Sequence, residues 1–323
     1  MAPAAALVVL LTLGACGRAP GAAVVQAGGA TAEDDRILVV ATFSILADLV
    51  MNVGQELIDL RVLVGRGSDT HTFRPSPTAG VALEEADLVF ESGLGFEAGW
   101  FDALFTATAS RAVRVAVTDG ITPLRVRGDD GAPPPTASPP AVQVEGEPDP
   151  HVWHDVTLAI HMTRRIRDAL AQTDPGNAAA YRANAETFVR ELEALHRWVE
   201  DRVASLAPER RTLVTSHEVF GYFAARYGFE LVGSTLGTAS TEATDASAAD
   251  VARLIQAIKR SGARAIFTEA TSSARLSQRV ADEAGVRVAT LYTDALMPPG
   301  GPADSYVGLM RANVTTIVRA LRD

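Results

Sequence analysis

The chain has 323 residues, 47% hydrophobic and 21% charged, which excludes wholesale disorder and, at about 150 residues per domain, suggests two domains. A formal net charge of −10 argues against a nucleic-acid-binding role, which needs a basic face to neutralise phosphates. The single cysteine, Cys16, excludes a disulfide framework and any cysteine-built zinc finger.

The chain opens with an apolar run from Ala4 to Leu13. It is too short to span a bilayer permanently but has the length of a signal-peptide core. Leu13-Gly14-Ala15-Cys16 follows and resembles the lipobox of bacterial lipoproteins. That resemblance implies a signal peptide over residues 1–15, cut before Cys16, whose thiol then carries lipid. Residues 16–36 are small, polar and Gly/Ala-rich, as expected of a flexible tether. No later segment offers 18 uninterrupted apolar residues, so lipid is the only expected membrane anchor.

Ile37-Leu38-Val39-Val40-Ala41-Thr42 lacks alternation and reads as a strand buried on both faces. Ile45, Leu46, Leu49 and Val50 then repeat with helical spacing. Leu60–Val64 reads as a strand ending in the polar turn Gly65–Thr70, and Pro77–Glu85 as a helix. Ala86–Phe90 and Val113–Val117 are further expected strands. Arg127–Pro150 is Pro-rich and acidic, the composition of an exposed loop with polyproline II character. Val156–Leu170 has helical periodicity and stops near Asp174-Pro175-Gly176.

Tyr181, Ala185, Phe188, Leu192, Leu195, Val199, Val203 and Leu206 alternate steps of four and three, predicting one amphipathic helix over Asn177–Leu206. Beyond it the strand–helix rhythm restarts. Strands are expected at Arg211–Thr215, Phe229–Val232, Ala265–Thr268 and Val286–Leu291, and helices at Asp250–Ser261, Leu276–Ala284 and Ser305–Leu321. The pattern describes an α/β protein of two lobes, each with a mainly parallel sheet flanked by helices, joined by one long rigid helix. The expected boundaries are 37–175 for the first lobe, 176–207 for the linking helix and 208–323 for the second.

Six histidines are present. His161 and His196 fall inside helical patterns and read as partly exposed helix residues. His71 and His217 directly follow a strand or its polar turn, and His151 ends the Pro-rich segment before a helix. Asp294 lies just past the strand that ends at Leu291. In open α/β sheets, ligands bind outside the carboxyl ends of strands. Three imidazoles and a carboxylate form a plausible four-ligand shell for a borderline divalent metal. No local spacing motif such as HExxH joins these four positions.

The surrounding segments add a resemblance. Asp69-Thr70-His71-Thr72-Phe73-Arg74-Pro75-Ser76-Pro77 resembles the DPHxYEPxPxD signature of the metal-binding receptors of bacterial zinc/manganese ABC importers, solute-binding protein family 9. Asp149-Pro150-His151-Val152-Trp153-His154-Asp155 is similar to that family's DPHxWxDP segment. Thr215-Ser216-His217-Glu218-Val219-Phe220-Gly221-Tyr222-Phe223 is similar to its THxAFGYF segment. Tyr292-Thr293-Asp294-Ala295-Leu296, with Asp304-Ser305-Tyr306, is similar to its YTDxL…DxY segment.

The resemblance implies a metal held between the lobes by His71, His151, His217 and Asp294. His at the family's variable third position is associated with zinc and Glu with manganese, so His217 implies Zn²⁺, with Mn²⁺ as the alternative. Thr70 stands where Pro is usual and Arg74 where an acidic residue is common. Glu269 is expected behind the ligands rather than among them. His154, often Leu in the family, is expected at the surface, with a role in metal entry or in supporting the ligands as the alternative. Trp153 and Tyr292 are expected to line the cleft. The loop 127–150 lacks the histidines that many zinc-specific members carry there.

The function implied is capture of the metal outside the cytoplasmic membrane by a monomeric lipoprotein. It would deliver the ion to a membrane permease powered by a cytoplasmic ATPase. A metal-dependent surface adhesin is the alternative binding role. A zinc hydrolase, with Glu218 or Glu269 as base, is the enzymatic alternative, although a fourth ligand would close the position that hydrolytic water needs.

Overall fold

The computed structural model describes residues 36–125, 146–234, 248–271 and 273–322. The expected signal peptide, Cys16 and the tether up to residue 35 lie outside them, as does most of the Pro-rich segment.

Four parallel strands, β1 (Ile37–Phe43), β2 (Ile58–Val64), β3 (Leu88–Glu91) and β4 (Val113–Ala116), form the first sheet in the order β2-β1-β3-β4. Val39 pairs with Leu60 on one side of β1 and with Leu88 on the other. Val39 to Phe43 are wholly buried, which is why β1 shows no alternation. The edge strands β2 and β4 carry the charged residues Asp59, Arg61 and Arg114. Helices α1 (Ser44–Gly54), α2 (Pro77–Glu85), α3 (Phe101–Ala107) and α4 (Val156–Thr173) belong to this half of the chain. Ser76 accepts the Ala79 amide at the start of α2, and Asp155 accepts the Thr157 amide at the start of α4.

The long helix is α5 (Ala178–Ala204), whose 27 residues span about 40 Å. Its buried stripe contains Tyr181, Ala185, Phe188, Leu192, Leu195, Val199 and Val203, in agreement with the sequence period. It packs on α1 and α4, then on α6 (Gly221–Tyr227) and α9 (Tyr306–Arg322).

The second sheet repeats the first. Strands β5 (Thr212–Thr215), β6 (Glu230–Ser234), β7 (Ala265–Glu269) and β8 (Arg287–Leu291) run parallel in the order β6-β5-β7-β8. Helices α7 (Ala248–Ser261) and α8 (Arg275–Ala284) accompany them. One continuous apolar core runs from the first sheet through α5 to α9, and a smaller cluster lies under α7 and α8.

The two halves are stitched by backbone groups. The amides of Leu296 and Tyr306 donate to Ser44 Oγ and Asp48 Oδ2 on α1. The Gly67 amide donates to the Leu296 carbonyl, and Arg66 to the carbonyls of Met297 and Asp304.

Helices α3 and α6 were not among the sequence expectations. Each has seven residues, too few for a 3.6-residue period to emerge. The Pro-rich segment also ends differently from expectation: Asp149 and Pro150 are buried rather than part of an exposed loop.

Candidate metal centre

Two of the candidate histidines are set by the same local device. In Asp69-Thr70-His71 the Asp69 carboxylate accepts the His71 amide at 2.8 Å, and in Asp149-Pro150-His151 the Asp149 carboxylate accepts the His151 amide at 2.9 Å. Such Asp-centred turns bend the chain without a sheet ladder. His217 lies two residues past the end of β5, and Asp294 three past the end of β8. Strand ends of the second sheet deliver His217 and Asp294, the turn after β2 delivers His71, and the segment before α4 delivers His151.

There they converge. One donor atom from each of His71, His151, His217 and Asp294 lies within 4.8 Å of all the others. The Nε2 atoms of His71 and His151 are 3.4 Å apart. Asp294 Oδ2 lies 3.7 Å from His71 Nε2 and 3.6 Å from His217 Nε2, while Oδ1 lies 3.9 Å from His151 Nε2. A tetrahedral Zn²⁺ with bonds of about 2.0–2.1 Å has ligand atoms about 3.3 Å apart, so the contacts of 3.4–3.9 Å need a slight contraction to form a coordination shell and the widest separation, within 4.8 Å, a larger one. His217 Nε2 and both Asp294 oxygens are buried without a hydrogen-bond partner. Buried polar atoms are costly to leave unpaired, and a cation at the centre would satisfy all three together.

Carboxylates behind two rings turn them inward. His151 Nδ1 faces Asp149 Oδ1 at 2.8 Å, and His217 Nδ1 faces Glu269 Oε1. Donation of each Nδ1–H to its carboxylate leaves the Nε2 lone pair directed at the cluster, the tautomer a metal needs. Glu269 also accepts the hydroxyls of Ser216 and Thr293, the latter at 2.9 Å. Glu269 thus touches the His217 ring and lies outside the four-residue cluster.

Burial sets the charge states. It holds the His71 imidazole down at about 3, with the neighbouring His151 and His217 adding to the effect. Burial also keeps His151 well below its ordinary range, with His217 again adding. His217 moves the other way: burial opposes its charge, but the Glu269 hydrogen bond and the charges of Glu269 and Asp294 win and raise it. Burial pushes Asp294 far up and Asp149 up to about 7.

Aromatic walls keep water away. Phe96 meets His71 edge-on at 5.1 Å, and Trp153 packs at 5.5 Å from His151. Trp153 is fully buried and donates its indole N–H to the Thr293 carbonyl across the cleft, while Tyr292 is only partly buried. His154 corrects the expectation of a surface residue. It is fully buried, lies 4.6 Å from Phe220 ring to ring, and neither ring nitrogen has a partner. It does not join the four-residue cluster. His161 instead faces the Asp119 carbonyl at 2.8 Å, and His196 the Tyr227 hydroxyl at 3.2 Å, both away from the centre.

Three supporting residues had no assigned role in the sequence reading. Asp149 was visible in the repeated Asp-x-His spacing. Asn313 brackets the Tyr292 peptide, accepting its N–H at 2.9 Å and donating to its carbonyl at 2.6 Å. Its signal was a polar residue on the apolar stripe Leu309, Met310, Val314, Ile317. Glu97, next to Phe96 in the chain, gathers the Thr42 hydroxyl at 2.6 Å and the Ser92 amide at 2.7 Å, and nothing in its local sequence marked it.

Comparison with known proteins places the whole assembly. Residues 39–320 match the family model described as zinc-uptake complex component A, periplasmic. The chain is 31% identical over 294 residues to the manganese-binding lipoprotein MntA of Halalkalibacterium halodurans, covering 91% of each chain. It is 33% identical over 298 residues to the zinc-binding protein TroA of Treponema pallidum, covering 90% of each. The solved TroA structure superposes with a TM-score of 0.77 over 88% of this chain and 99% of TroA, at 30% identity. Identity to the iron ABC transporter substrate-binding lipoprotein MtsA of Streptococcus pyogenes is 28% over 301 residues, covering 91% of this chain and 92% of MtsA.

Proposed function

The chain belongs to the zinc-uptake complex component A family, and on that premise we propose that it is an extracytoplasmic receptor that captures Zn²⁺ for an ABC importer. His71, His151, His217 and Asp294 would hold the ion, which would pass to a membrane permease driven by a cytoplasmic ATPase. The relatives named above are metal-binding and transport proteins rather than enzymes, which removes the hydrolase alternative. No described helix is long and apolar enough to cross a membrane, and lipid on Cys16 is the proposed anchor.

One observation carries this reading: a buried cluster of three imidazoles and one carboxylate whose inward-facing atoms lack other partners. Nitrogen-rich coordination favours zinc over manganese, which sits low in the affinity order and prefers oxygen. Because each half of the chain supplies two ligands, a bound ion would stabilise the closed arrangement relative to any open one. Release to a permease would then require the lobes to part, with α5 limiting how far. Protonation of His217, whose pKa is raised above 6.5, would compete with the metal as pH falls through that raised value, whereas burial keeps His71 and His151 neutral to well below it.

The test is metal content followed by chelator competition with Zn²⁺ and Mn²⁺. One tight Zn²⁺ per chain is expected, bound more firmly than Mn²⁺. His217→Ala and Asp294→Ala should each weaken binding by more than the roughly 10- to 100-fold typical of supporting partners. Absence of a stoichiometric metal, or binding indifferent to both substitutions, would sink the reading.

A further inference from the structure

Gly221 opens α6, four residues after His217, and stands against the other half of the site. A Cβ added at Gly221 would lie 2.5 Å from Asp149 Oδ2, far inside van der Waals contact. The next residue, Tyr222, donates its hydroxyl to the Asp149 carbonyl at 2.8 Å and accepts the Leu124 amide at 3.0 Å. The first two residues of α6 thus pack on the side chain and backbone of the residue that holds His151. Asp149 is buried, and its other oxygen receives both the amide and the Nδ1 of His151, at 2.9 and 2.8 Å.

A carboxylate at the end of a free side chain would swing away from an added methyl group. Here, moving Oδ2 rotates Oδ1 off the His151 ring, so the displacement is handed to a proposed ligand. The same segment carries His217, but the His217 ring is held separately by Glu269, so the glycine contact bears on His151 alone.

We propose that Gly221 is a positioning residue: the missing side chain lets α6 close onto the Asp149 carboxylate, which keeps His151 Nε2 aimed at the metal. The proposal rests on the metal-binding reading above. Its requirement is steric and local, since the Gly221 backbone lies outside the left-handed region and alanine suits a helix better than glycine. A loss of metal affinity in Gly221→Ala would therefore not come from a weakened α6.

The experiment uses the full chain and the variants Gly221→Ala, Asp149→Ala and the double substitution. Zn²⁺ affinity is read by chelator competition, and imidazole ¹H–¹⁵N spectra are recorded on the metal-free protein. Gly221→Ala should weaken Zn²⁺ binding about tenfold, the lower end of what supporting partners contribute. It should also shift the His151 Nδ1–H signal and leave that of His217 in place. In the Asp149→Ala background the same glycine change should alter affinity less than twofold, the non-additivity of two residues acting through one contact. Wild-type affinity in Gly221→Ala, an unmoved His151 signal, or a full tenfold loss repeated without Asp149 would each overturn the proposal. A wild-type chain that takes up no Zn²⁺ would defeat the functional reading instead. The metal-free spectra would still decide whether Gly221 sets His151.

Discussion

Glu97 and Glu269 are buried in opposite halves of the chain, 2% and 4% exposed, yet their pKa values move in opposite directions. Burial pushes Glu97 up to about 7, although Thr42, Ser92 and Gly93 donate hydrogen bonds to it. Burial works against the charge of Glu269 as well, but His217 pulls it down to about 2, aided by Ser216 and Thr293. Neutral donors do not repay the loss of water around a carboxylate; a cationic partner in contact does. The histidines repeat the contrast, with His71 and His151 lowered in the first half and His217 raised in the second. The stabilised anion beside the centre therefore belongs to the second half, through Glu269.

Substitution of Glu97 should produce the largest effect and separate burial from pairing. Its folded pKa exceeds the unfolded 4.5, so its contribution to stability is fully present below pH 4.5 and is lost as pH rises through about 7. The loss is on the order of 3 kcal/mol, at about 1.4 kcal/mol per unit. Glu97→Gln should flatten the wild-type decline in urea stability between pH 5 and 8 and leave Zn²⁺ affinity unchanged. An equally steep decline in the variant would show that Glu97 does not titrate in this window.

Glu269 should respond with the opposite sign. Its depressed pKa contributes stability that is present above 4.5 and lost as pH falls through about 2. Glu269→Gln removes the anion behind His217, leaving burial to lower that ring's pKa. Zn²⁺ affinity should fall about 10- to 100-fold, read by chelator competition. An unchanged His217 titration by NMR would dissolve the contrast between the two glutamates.

The smallest effect is expected at His154, buried with neither a cation nor an anion paired to it. His154→Leu removes two unpartnered ring nitrogens and should raise stability by about 1 kcal/mol without touching metal affinity. A destabilised variant would mean that the stacking on Phe220 outweighs the unpaired nitrogens.

Much of this architecture was legible in the chain because it is written in short-range pattern. The unbroken apolar run of β1 and the four–three stripe of α5 each report a local burial pattern, and Pro77 marks the start of α2 through its fixed φ. Three of the four site residues stood out because each follows a strand end or its polar turn, His151 because it ends the Pro-rich segment before a helix, and the segments around all four resemble a known family. His154 was misjudged because a residue beside a Pro-rich acidic segment looks solvated. What buries it is Phe220, from the other half of the molecule. Helices α3 and α6 are too short to show a period.

The sequence by itself determined which residues could bind a metal and which strands would carry them, since side-chain chemistry and burial period are local properties. Only the tertiary structure decided that the Nε2 atoms of His71 and His151 stand 3.4 Å apart across 80 residues of chain. It alone decided that Asp149 and Glu269 turn two rings inward, that the pKa of one buried glutamate falls while that of the other rises, and that a glycine in one half leaves room for a carboxylate in the other. Those outcomes depend on which group from a distant segment fills the last few ångströms around each atom, and no local pattern encodes that distance.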